Sequence, residues 1–120
     1  MQHLVKITVI GAARKILYSY LHSTPEGGDL FQLCRLFGDQ TPDCVAVKVQ
    51  DHHAKLHIHL LSVADPRPLE IATALAAKYP SLRIVIYYED ASVYGTIYAQ
   101  EGAVYRHVRR TTDRSDQSKA

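Results

Sequence analysis

Apolar and polar positions alternate with a period of two in six stretches of this chain. In LVKITVIG, Val5, Ile7 and Val9 point one way and Lys6 and Thr8 the other, the signature of a half-buried strand. CVAVKVQ repeats the pattern through Val45, Val47 and Val49, and KLHIHLLSV through Leu56, Ile58 and Leu60. A short polar turn around QDHHA joins these two into a hairpin, although it lacks an Asn-Gly signal. SLRIVIYYE, VYGTIYAQ and AVYRHVRR supply three more strands, linked by DAS and EG.

Between the strands the period changes to that of helices. AARKILYSYLH gathers Ala13, Ile16, Leu17, Tyr20 and Leu21 on one face, with Arg14, Lys15, Tyr18 and His22 opposite. Asp29 caps a short helix, LFQLCRLF, that ends at Gly38. In DPRPLEIATALAAKYP, Asp65 is placed to cap the helix and Pro66 to begin it, and Pro80 stops it. Leu69, Ile71, Ala72, Leu75, Ala76 and Tyr79 form its expected buried stripe.

The resulting order is β-α-β-β-α-β followed by an extra hairpin. It predicts an α+β, ferredoxin-like domain over residues 1–112: an antiparallel sheet with two helices on one face, plus a C-terminal β-hairpin. The other sheet face meets water or a partner. Residues 113–120 are polar and aperiodic, which predicts a disordered tail.

Composition adds mainly exclusions. A chain of 120 residues with 47 % hydrophobic and 22 % charged residues fits one globular domain. A formal net charge of +2 is too small to imply nucleic acid by itself. The sequence has neither a signal-peptide pattern nor an apolar run long enough for a membrane span. Cys34 and Cys44 form no CxxC and are read as reduced thiols, so the expected location is the cytoplasm, with no membrane partner.

Four of the seven histidines lie in DHHAKLHIHL. His57 and His59 share the open face with Lys55, and a His-x-His pair can chelate zinc or copper. A metal site needs three or four ligands, and the expected neighbours are Lys6, Thr8, Arg83 and Tyr87. We therefore assign no metal and no cofactor, and keep a metal-dependent activity at His57 and His59 as the third reading. His52 and His53 are placed in the hairpin turn with diverging side chains.

No catalytic residue is assigned and the chain is read as non-enzymatic. Neither cysteine has a histidine nearby in sequence, HST at His22 lacks a second copy, and Glu89 and Asp90 lack a partner carboxylate. GAARK sets a glycine and two cations at a helix start without a phosphate-binding fingerprint.

Aromatic usage is skewed to eight tyrosines against two phenylalanines and no tryptophan. Tyr87, Tyr94, Tyr98 and Tyr105, with His57 and His59, make up the candidate protein interface. Lys48, Arg106, Arg109 and Arg110 make up an alternative nucleic-acid surface.

One segment also bears a resemblance. Residues 66–105 carry a proline pair at Pro66 and Pro68, Tyr79-Pro80 after the helix, Tyr88-Glu89 at a strand end and Gly95 in the next strand. In these features the segment resembles the YubB-type ferredoxin-like proteins of plasmids, phages and genomic islands. The resemblance implies an accessory protein of a bacterial mobile element with no catalytic residues to carry over. Together with small size and missing chemistry, it leads to an expected protein-interaction module, such as an inhibitor of a host complex of the CRISPR defence kind. Self-association into a homodimer would use the same surface.

Overall fold

The computed structural model describes residues 3–21, 44–62 and 66–111. Six strands, β1 (His3–Ile10), β2 (Cys44–His52), β3 (Lys55–Ser62), β4 (Arg83–Glu89), β5 (Val93–Gln100) and β6 (Ala103–Thr111), form one antiparallel sheet in the order β2-β3-β1-β4-β5-β6. Two helices, α1 (Arg14–Leu21) and α2 (Pro68–Lys78), complete the described chain. This is an α+β fold compatible with a ferredoxin-like arrangement. The last two strands do not stand apart as a hairpin: they continue the sheet beyond β4, and α2 spreads over β4, β5 and β6. The expected helix LFQLCRLF and the expected tail at 113–120 lie outside the described residues.

Strand alternation sorts side chains as the pattern predicts. Val5, Ile7, Val9, Leu56, Ile58, Leu60, Ile84 and Ile86 are fully buried, in one cluster with Leu17 of α1 and with Ile71, Ala72, Leu75 and Ala76 of α2. Both described helices therefore cover the same face of the sheet.

The helices depart from expectation at four points. Ile16 is 64 % exposed, because α1 turns Leu17 and Tyr18 inward, with Ala13 just before it also packed against the core. Tyr18, expected on the outer face, packs instead against the core. In α2 the buried residues centre on Ile71, Ala72, Leu75 and Ala76. Leu69 precedes Ile71 by two residues, or about 200° of helical rotation, and is 44 % exposed. The start of α2 is also later than expected. Pro68 takes the first turn, and Arg67 holds the cap position at φ 50° without a side-chain cap. Pro66 precedes the helix and is buried, and Asp65 lies outside the described residues.

Two tight turns join the hairpins. Between β2 and β3 only His53 and Ala54 intervene, at φ 53° and 62°. His52 is thus the last residue of β2, paired with Lys55, not a turn residue. The His52 and His53 rings do not diverge: their centroids are 3.8 Å apart in an edge-on contact. Between β5 and β6 the turn is Glu101 and Gly102, at φ 57° and 84°.

Candidate functional sites: an open sheet face and a cavity

The register brings most of the expected interface residues together. Across the sheet, His59 faces Lys6, Lys6 faces Tyr87, and Tyr87 faces Thr96. One row along, His57 faces Thr8, and Tyr98 lies opposite Val85 and Arg106. Tyr94 lies between Glu89 and Arg110. His57, His59, Tyr87, Tyr94 and Tyr98 are therefore all on the face opposite the helices, each half-buried. Tyr105 is the extra residue of a bulge in β6 and is 60 % exposed, its ring centroid 6.2 Å from that of Tyr98.

The same face is strongly cationic. Among the described side chains it carries Lys6, Lys55, Arg83, Arg106 and Arg110 against a single carboxylate, Glu89. The Arg106 guanidinium sits over the Tyr98 ring, 5.6 Å from its centroid. The Tyr87 hydroxyl donates to Glu89 Oε1 at 3.2 Å. Partial burial, and then the adjacent Glu89 carboxylate, raise the Tyr87 phenol above its ordinary value.

The proposed nucleic-acid set does not form one patch. Arg106 and Arg110 face the open side, but Arg109 alternates to the helix side and lines a cavity there. Lys48 belongs to β2, at the opposite edge of the sheet from β6. Five strand spacings separate those backbones, about 24 Å. Among the described residues, no group of three or more His, Cys, Asp or Glu could hold a metal ion. At the GAARK helix start, Arg14 donates to Asp51 Oδ1 at 3.3 Å and to the Gly11 carbonyl at 3.2 Å, which ties α1 to β2.

Sequence reasoning missed the cavity, about 250 Å³, at the end of the sheet near the start of α2. His3, Tyr88, Glu89, Asp90, His107 and Arg109 supply its polar lining, with Pro66 and Pro68 beside them. Asp90 is the best-anchored group. Its Oδ1 accepts from the Ser92 and Val93 amides at 2.7 and 2.8 Å, and its Oδ2 lies 3.4 Å from His3 Nδ1. The Ser92 amide bond is the main cause that holds the Asp90 carboxyl below its ordinary value, against a smaller desolvation effect. The Tyr88 hydroxyl lies 2.6 Å from His107 Nε2. Burial raises the Tyr88 phenol and the Arg109 charge partly offsets this. One signal was present in the sequence: Tyr88 and Asp90 continue the buried parity of Ile84 and Ile86 with polar groups.

Comparison with protein-family models, with curated proteins and with solved structures finds no match for this chain. Among the described residues, no helix is long and apolar enough to cross a membrane.

Proposed function

We propose that the chain is a non-enzymatic binding module that presents the open face of a ferredoxin-like scaffold to an acidic protein surface. One observation carries this reading: tyrosines, histidines and five cations share a sheet face that no described helix covers, with one carboxylate among them. Tyrosine and arginine supply interface energy through large rigid rings and planar charge, and the charge excess selects an acidic partner. The mobile-element reading extends the proposal. It rests on the resemblance of residues 66–105, and would make the module an inhibitor that occludes a surface of a host complex such as a CRISPR defence assembly.

Nucleic acid is the second reading, favoured by the same cations. It is weaker because Arg106 already covers Tyr98, whose ring would otherwise be free to stack a base. Pairing of two β6 edges is disfavoured as well. An antiparallel contact centred on Val108 sets Arg106 of one copy against Arg110 of the other, and like charges directly opposite repel.

A photocrosslinking residue at Tyr98, compared with one at Thr73 on the exposed side of α2, tests the proposal. The expected result is a discrete protein adduct from position 98 alone, insensitive to nuclease and lost when Lys6, Arg106 and Arg110 are reversed to Glu. Nuclease-sensitive adducts would establish the second reading. Equal adducts from both positions would remove the open face as the interface.

A further inference from the structure

The cavity lies at the end of the sheet, mainly on the helix side, with Leu4 and Glu89 at its border with the open face. Residues far apart in sequence converge there: His3 from β1, Tyr88 and Asp90 from β4 and its turn, His107 and Arg109 from β6. At about 250 Å³ the space falls just below the roughly 300–1,000 Å³ of drug-sized pockets and suits a molecule of amino-acid size.

Its polar groups form two poles. At one, Asp90 is fixed by two backbone amides and faces His3 Nδ1. In the neutral imidazole with its proton on Nδ1 toward the carboxylate, Nε2 of His3 is an acceptor. At the other pole is Arg109, which makes no ion pair among the described residues. Glu89 also lines the cavity, but it accepts from the Tyr87 hydroxyl and makes no ion pair with Arg109. Between the poles the phenol of Tyr88 crosses Gly95, where an added Cβ would lie 2.5 Å from the Tyr88 hydroxyl oxygen. The cavity thus has an aromatic floor, with the Tyr88–His107 hydrogen bond bracing one side. His3 and Arg109 stand on strands three spacings apart, about 14 Å between backbones. Both side chains line the cavity from opposite sides, so the gap to be bridged is short.

We propose that this cavity binds a small monocarboxylate bearing a hydroxyl or amino group on the adjacent carbon. The planar guanidinium of Arg109 takes the carboxylate through paired N–H···O bonds. The hydroxyl or amino hydrogen is donated to His3 Nε2, and the carbon skeleton lies on the Tyr88 ring. A second carboxylate would meet Asp90 and be repelled, so dicarboxylates are excluded. A bare carboxylate leaves His3 without its donor and binds more weakly.

The test is an amide NMR titration of the full chain with L-lactate, L-alanine and L-serine, using acetate and succinate as controls. At least one of the three probes should shift the amides of His3, Tyr88 to Val93 and His107 to Arg109 saturably. It should bind about tenfold or more tightly than acetate, the equivalent of about 1.4 kcal/mol. Arg109→Gln, at an exposed edge-strand position, should abolish the shifts while the remaining spectrum shows an intact fold. His3→Ala should reduce lactate binding to the acetate level. The proposal is overturned if no probe saturates, if acetate or succinate binds as well, or if Arg109→Gln leaves binding intact.

Discussion

The two faces of the sheet use the same strands and carry opposite chemistry. In β3, Leu56, Ile58 and Leu60 are fully buried beneath the helices, whereas His57 and His59 between them are half-buried on the other side. In β4, Ile84 and Ile86 behave as the first set, Val85 and Tyr87 as the second. A single alternation therefore specifies both a core and the open face proposed as a display surface. Stability resides in one parity of the strand and, on the proposed function, recognition in the other, so a change to either should leave the second largely alone.

Replacing adjacent residues in β3 breaks that comparison most directly. Ile58 sits in the middle of the covered face, between Val49 and Ile7 on the flanking strands. Ile58→Ala should lower unfolding stability by about 2–5 kcal/mol, from lost burial and the cavity left behind. His57→Ala should stay within about 0.5 kcal/mol, as an ordinary surface change. Urea unfolding of the two variants measures both. A cost at His57 as large as that at Ile58 would mean that the open face is packed in the free protein, and would remove it as a display surface.

Gly95 sharpens the comparison, because it lies on the covered face where polar side chains replace aliphatic ones. It is buried, and an added Cβ would come within 2.5 Å of the Tyr88 hydroxyl oxygen and 2.6 Å of the Val108 carbonyl oxygen. Tyr88 fills the space a side chain would occupy, an aromatic ring laid over a strand glycine. Gly95→Ala should cost about 1–3 kcal/mol through overpacking. Adding Tyr88→Ala should recover only part of that cost, since the Val108 carbonyl is backbone and remains. Full recovery in the double variant would place all the strain in the phenol.

The legible part of this molecule was the part governed by short-range periodicity. Strands β1, β3 and β4 showed their buried parity in sequence, and placing β3 beside β1, with Lys6 and Thr8 next to the histidines, followed from strand order. Features set by contacts between distant segments were not legible. The cavity joins the first residue of β1 to the end of β4 and the second half of β6, and no local pattern relates His3, Asp90 and His107. The β2–β3 turn was obscured because His53 and Ala54 adopt positive φ where Asn and Gly are the usual residues. Ile16 and Leu69 misled because an apolar side chain on a helix does not by itself say which way the helix is turned.

The smallest expected effect tests the display face on its own terms. Tyr87 is half-buried, and its hydroxyl donates to Glu89 at a part-exposed position. Tyr87→Phe should change stability at neutral pH by no more than about 0.5 kcal/mol, because a solvated hydrogen bond exchanges readily with water. The pH dependence is more informative. Partial burial and the Glu89 charge raise this phenol in the folded state above its ordinary value of 10.0. The folded chain then holds the proton more tightly than the unfolded chain does. The stabilisation is fully present below pH 10 and is lost as pH rises through the raised folded value. Tyr87→Phe cannot ionise, so the variant should gain on the wild type in that alkaline range, reversing any small deficit at neutral pH. Alkaline unfolding followed together with tyrosinate absorbance separates this group from the other seven tyrosines. Parallel curves for wild type and variant would mean that the Tyr87 phenol is solvated like a free tyrosine. The open face would then be a solvent-exposed surface in which the ring and the Glu89 carboxylate act independently, and its half-buried aromatics would lose their standing as a preformed interface.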